Sequence, residues 1–235
     1  APFFALLYRA GMIRRDQFGL LVLSAGLGNT SFVGLPLIEA LLGPGEAPRV
    51  ILLDQLGTFL ALSIAGTFWI SWMKARTEEH ARFSFRRFLK DLARFPPFVS
   101  VVAAALLAPA GALSEGWQMA LEKIGATLVP VAMVAVGSQM NPSFSTLRSE
   151  GRGLVFGLGF KLALAPLAVF LLARYGFGIT GRDFEVGVLE AAMAPMITST
   201  VLAMEAGFAP SLGALMLGVG IPLSLATVPL WARFL

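Results

Sequence analysis

AGLGNTSFVGLPLIEALLG at residues 25–43 and LEAAMAPMITSTVLAMEAG at residues 189–207 are apolar stretches interrupted in the same way. In each, small and hydroxyl residues lead to a proline, Pro36 or Pro195, near the middle of a span long enough to cross a membrane. Every backbone donor and acceptor in lipid needs a partner, so such a break persists only where it is buried in protein or lines a polar cavity. A matched pair of broken spans is the sequence pattern that best marks the binding site of a secondary transporter.

Composition points the same way. Of 235 residues, 57% are hydrophobic and only 14% charged, with a mean hydropathy of +0.78, too apolar for an ordinary soluble domain. The net charge of +4 comes from 18 Lys and Arg against 14 Asp and Glu. The positive residues cluster in a few loops and so act as topology signals; no nucleic-acid partner is expected. The absence of cysteine excludes disulfides and thiolate metal sites. There is no Cys/His cluster, His-Glu-x-x-His, Gly-x-Ser-x-Gly elbow or phosphate loop. Neither Asp54 nor Asp183 has an aspartate partner on a facing span, as an intramembrane protease would need. The expectation is a protein that is not an enzyme, with no metal or cofactor beyond a coupling H⁺ or Na⁺.

Seven candidate spans follow, at about 17–43, 49–73, 96–112, 116–140, 153–175, 184–206 and 210–234, most near the roughly 20 residues that cross a bilayer. Alternating sides places Arg9, Arg14, Arg15, Lys74, Arg76, Arg82, Arg86, Arg87, Lys90, Arg94, Arg148 and Arg152 on one face. Only Arg49, Arg174, Arg182 and Arg233 fall on the other. The positive-inside rule assigns the first face to the cytoplasm and the C-terminus to the outside, in a bacterial inner membrane. The two broken spans then run antiparallel.

That arrangement predicts an all-α integral membrane protein built as a five-plus-five inverted repeat. Residues 1–73 would be the C-terminal part of the first repeat, with a stub, the crossover helix 17–43 and the span 49–73. Residues 96–235 would form the second repeat, with its crossover helix at 184–206. LGTFLALS at 56–63 resembles LGVGIPLS at 217–224, a modest likeness in support. The chain starts APFFALLYRA, without an initiator Met, signal peptide or lipidation box. About seven spans of an expected ten would be present, with about two and a half N-terminal spans lacking.

GNTSFVGLPLIEALLG resembles the Gly-Asn-Thr…Gly-hydrophobic-Pro stretch of the auxin efflux carrier family, which includes bacterial malate- and malonate-type permeases. TLVPVAMVAVGSQM at 127–140 is similar to that family's proline-to-glycine span in the second repeat, and AAMAPMITSTVLAMEAG to its second crossover helix. The resemblance runs over essentially the whole chain. It implies ten helices, a transport domain with two crossing broken helices, and a separate scaffold domain through which a homodimer could form.

Proline at the first position of a half-helix gives up an N–H that has no partner there anyway, so Pro36 and Pro195 are expected to start the outgoing halves. Two converging N-terminal dipole ends favour an anion or carboxylate. Asn29, Thr30, Ser31, Gly34 and Pro36, with Ala194, Pro195, Thr198 and Ser199, are therefore the candidate substrate site. The hydroxyls of these stretches, Thr200 included, could instead serve only the freed backbone groups of proline kinks. Gln139 and Asn141 are candidate cavity-lining residues or simple helix-end caps.

A charge at mid-span costs about 2.5–3.5 kcal/mol and usually has a role. Glu190, five residues before Pro195, is the leading proton carrier or cation ligand. Asp54 and Gln55 could form a Na⁺ or proton site or lie at the interface. Lys161 could snorkel to the cytoplasm or face inward as a counter-charge. Glu39 and Glu205 are expected to be solvated. Residues 74–95 read as a basic amphipathic linker on the inner leaflet, with Phe85, Phe88, Leu89 and Leu92 at helical spacing. His80, in that linker, has no metal-ligand companions.

The combined expectation is a secondary active carrier of a small organic anion, such as a carboxylate, working by alternating access. A sodium-coupled organic-anion symporter of the bile-acid type and a non-transporting membrane fragment are the competing readings.

Overall fold

The computed structural model describes residues 2–75, 85–94, 96–107, 114–127 and 144–235, together with 131 and 134. The described chain is helical, without a strand of any length. Among the described residues, three helices are long and apolar enough to cross a membrane: α4 (Ala47–Ala75), α8 (Thr146–Gly176) and α11 (Pro210–Ala232). Two interrupted segments accompany them, one before α4 and one between α8 and α11. The first consists of α2 (Arg15–Ser24) and α3 (Thr30–Leu42), preceded by α1 (Pro2–Arg9). The second consists of α9 (Arg182–Ala191) and α10 (Ile197–Glu205). The helices α5 (Phe85–Arg94), α6 (Pro96–Leu107) and α7 (Glu115–Ala126) lie between α4 and α8 in sequence. The remainder of the predicted 96–112 and 116–140 spans, and residues 76–84 with His80, fall outside the described residues.

Each interrupted segment divides most of its apolar residues between two packing clusters, while Phe32 of α3 and Ile197 of α10 meet in a third, around Leu217. Leu20, Leu21 and Leu23 of α2 and Ala203 and Met204 of α10 pack with Leu154, Leu158, Leu212 and Met216 of α8 and α11. Val33 and Ile38 of α3 and Val186 and Leu189 of α9 pack instead with Val50 and Val228. The clusters are fully apolar, and because lipid tails are equally apolar, close van der Waals packing rather than transfer out of water holds the halves together. The breaks, where the chain changes cluster, are where polar groups can be sheltered.

The ends of the helices sort into two sets. At one end, Arg14 of the loop before α2 pairs with Glu150 of α8 at 2.8 Å, and Gln17 donates to the same carboxylate at 2.8 Å. The Arg14 guanidinium is held above its ordinary range by hydrogen bonds to Asp16 and then Glu150. At the other end, Arg49 pairs with Glu46 at 2.8 Å and Asp183 at 2.7 Å, and Arg182 with Glu185 at 2.6 Å.

Several helices widen locally into π-turns, at Thr30–Gly34, Asp54–Phe59, Ala61–Gly66, Phe160–Leu164 and Leu172–Gly176. A π-turn displaces the residues beyond it around the helix and occurs often at functional sites. Thr30, Asp54 and Lys161 each lie in such a turn.

Candidate functional site

The two breaks cross one another as short extended segments. Gly28 and Pro195 form an antiparallel bridge. The Asn29 N–H donates to the Ala194 carbonyl at 2.8 Å, and the Met196 N–H to the Leu27 carbonyl at 3.2 Å. Backbone groups released by one break are thus satisfied by the other, which is how irregular backbone can persist at membrane depth.

The sequence explains this, with two corrections to the expected role of the prolines. Pro195 does not start a half-helix. Residues before a proline avoid the helical region, so α9 stops at Ala191, Pro195 lies in the extended crossing, and α10 begins at Ile197 after the extended Met196. Pro36 does not start one either. Asn29 is the N-cap, its Oδ1 accepting from the Phe32 N–H at 3.2 Å, and the half-helix is already running when it reaches Pro36. A further consequence is that Glu190 sits in the last turn of α9, nearer the break than its distance from Pro195 implied.

A buried polar group gathers around the crossing. Asn29, Thr30, Asp54, Lys161 and Glu190 are each at most 5% exposed. The Thr30 hydroxyl donates to Asp54 Oδ1, and the side chain of the exposed Gln55 donates to Asp54 Oδ2 at 2.8 Å. Lys161 does not snorkel; its Nζ donates to the Ala191 carbonyl at the end of α9, at 3.0 Å. Asp54 is likewise buried within the protein. Glu190 lies against α3, where a Cβ added at Gly34 would fall 2.8 Å from both carboxylate oxygens. Gly28 is equally confined, since a Cβ there would lie 3.1 Å from Lys161 Nζ and 3.0 Å from the Glu190 carbonyl oxygen. Asp54 and Lys161 are both within electrostatic reach of Glu190.

Two of these residues hold polar atoms that have no hydrogen-bond partner among the described residues: Asn29 Nδ2 and both carboxylate oxygens of Glu190. A buried polar atom without a partner is costly and calls for a functional explanation. The hydroxyls of the second break are used differently. Ser199 donates to the Leu23 and Met196 carbonyls at 3.1 and 3.2 Å, and Thr200 to Met196 at 2.7 Å. They serve the backbone, as a proline break requires. Ser31 and Thr198 are half-buried, Ala194 and Pro195 are buried, and Pro36 is exposed. Gln139 and Asn141 fall outside the described residues. Glu205 is exposed and Glu39 half-buried. Among the described residues no cluster of metal-ligating side chains occurs.

The sequence reading missed Gly28, whose neighbour in the crossing belongs to the other break, and Gln17 and Glu150, whose pairing joins α2 to α8. Gln17 and Glu150 carry no local motif, whereas Gly28 is the glycine of the Gly-Asn-Thr stretch, whose close approach to the other break is a matter of tertiary structure.

Membrane-spanning helices with two interrupted segments crossing over buried charges define a transport protein of the bilayer. The chain belongs to the membrane transport protein family, of the auxin efflux carrier type, whose sequence profile matches residues 5–232. An uncharacterized transporter of Methanocaldococcus jannaschii is 24% identical over 230 residues, covering 95% of this chain and 70% of the relative. An uncharacterized transporter of Methanothermobacter thermautotrophicus is 26% identical over 224 residues, covering the same two shares, 95% and 70%.

Proposed function

We propose that this protein is a secondary active carrier that moves a small organic anion, such as a carboxylate, by alternating access at the crossing of its two breaks. The observation that carries this reading is the coincidence of crossed, mutually bonded breaks with buried polar atoms that have no partner among the described residues. The free Asn29 amide offers a donor for a carboxylate. The N-termini of α3 and α10 both open on the crossing, and each contributes a partial positive charge there.

Glu190 and Asp54 serve as the coupling site for H⁺ or Na⁺, with Lys161 as the internal counter-charge. Two carboxyl groups beside one amine form a cluster whose charge can be balanced by taking up a coupled cation, H⁺ or Na⁺. Charges kept inside a membrane protein at this expense generally mark ion and substrate pathways. The Arg15 end faces the cytoplasm and the C-terminus the outside, as the distribution of Lys and Arg requires.

The test is Glu190→Gln in the complete carrier reconstituted in vesicles, measuring uptake of labelled dicarboxylates across imposed pH and Na⁺ gradients. Uptake driven by one gradient in the parent protein, with loss of that gradient's effect in the variant, supports the assignment. Unchanged gradient dependence removes Glu190 from coupling. Na⁺ dependence in the parent would favour the sodium-coupled symporter reading.

A further inference from the structure

We infer that the Arg15 end of the bundle carries a second binding site, distinct from the crossing, which holds the phosphate headgroup of an anionic phospholipid. A pocket of about 510 Å³ opens there between the start of α2, the end of α4 and the turn after α10, within the size range of small-ligand sites. Arg15 and Lys74 both line it. They are brought together by Arg15, whose Nη2 lies 3.5 Å from the carbonyl of Met73, the residue before Lys74. Among the described residues neither cation has a carboxylate partner. Asp16, also in the lining, is engaged by Arg14, whose Nε and Nη2 donate to its two oxygens at 3.1 Å each. The turn after α10 is closed by the Gly207 and Phe208 N–H groups, which donate to the Met204 and Ala203 carbonyls at 2.9 and 3.0 Å.

The surroundings select a lipid over a free anion. Arg15 and Met73 also line an adjoining groove of about 360 Å³ walled by Tyr8, Phe18 and Trp72. A cationic pocket continuing into an aromatic groove matches a molecule with a charged head and apolar tails, and aromatic residues favour the interfacial depth at which headgroups lie. Basic pockets between spans on the cytoplasmic side recognise anionic headgroups through the same chemistry. The adjacent α5 presents Arg86, Lys90 and Arg94 to the outside, which raises the local concentration of such lipids without forming a pocket.

Native mass spectrometry of the purified full protein, titrated with dioleoyl phosphatidylglycerol or dioleoyl phosphatidylcholine, tests this. The expected result is one tightly bound phosphatidylglycerol, at least ten-fold preferred over phosphatidylcholine. Lys74→Gln, an exposed change that leaves the core untouched, and Arg15→Gln with Lys74→Gln should each reduce that preference, the pair to within about two-fold. Arg86→Gln with Lys90→Gln should leave it intact. Equal binding of the two lipids overturns the inference. So does equal loss of preference in the α5 variant, which would indicate a diffuse basic surface, or full displacement by millimolar inorganic phosphate, which would indicate a free-anion site.

Discussion

Gly34→Ala tests the placement of Glu190 directly. The new Cβ would fall 2.8 Å from both Glu190 oxygens and 3.1 Å from its Cδ. Ordinary van der Waals contact begins at about 3.4 Å, so the carboxylate or α3 must yield by roughly half an ångström or more. Overpacking of this kind typically costs about 1–3 kcal/mol. In a chain of this size about 2 kcal/mol corresponds to a fall in Tm of roughly 4–8 °C. Glu190→Asp shortens the side chain by one methylene and withdraws the carboxylate from α3. Combined with Gly34→Ala it should recover at least half of the loss, a coupling of about 1 kcal/mol or more in a double-mutant cycle. Intrinsic tryptophan fluorescence during thermal unfolding in detergent reads all four proteins. If Gly34→Ala is neutral, or the two substitutions are additive, Glu190 does not lie against α3 and the arrangement of the crossing is wrong.

Other substitutions separate structural from functional groups. Asn29→Asp keeps the acceptor that caps α3 but replaces the unpartnered Nδ2 with a carboxyl oxygen at a buried position, so carboxylate uptake should fall at least ten-fold and stability should fall by up to about 3 kcal/mol, the cost of a mid-span charge. Ser199→Ala removes the donor to the Leu23 carbonyl and should lower stability by about 1 kcal/mol in chemical or thermal unfolding, with substrate affinity unchanged. Glu150→Gln, which weakens the links from both Arg14 and Gln17, should cost about 1–3 kcal/mol. The raised pKa of Arg14 means that its share of this pairing is fully present at neutral pH and would be lost only as pH rises through its folded value. A Tm difference between the parent and Glu150→Gln that persists from pH 6 to 10 is therefore expected.

The class of protein was legible in its composition and in two prolines, because the bilayer tolerates so few ways of breaking a span. What the sequence left open, or placed wrongly, follows from local geometry. Counting 1.5 Å per residue cannot tell whether Lys161 snorkels, since the π-turn at Phe160–Leu164 sets its direction and the acceptor, the Ala191 carbonyl, is thirty residues away. Asp54 looked equally suited to the interface until Thr30, from the other side of a loop, supplied its donor. The prolines marked the breaks but not their edges. The residues before Pro195 left the helix early, and Asn29, a recognisable cap, opened α3 well before Pro36. Ser199 and Thr200 illustrate why hydroxyl residues at a break are ambiguous in sequence. Only their bonds to the Met196 and Leu23 carbonyls show that they support the backbone.

The central claim is that the crossing is a hydrated site with alternating access, and the chain has no cysteine to complicate its measurement. Thr198→Cys places a thiol on a half-buried position in the first turn of α10. Its labelling by a membrane-impermeant maleimide, applied from each side of oriented vesicles with and without dicarboxylates, reports the access directly. The account predicts labelling that a transported anion blocks, and a change of reactive side when the pH or Na⁺ gradient is reversed. Failure to label from either side under every condition would mean a dry, packed crossing and would contradict it.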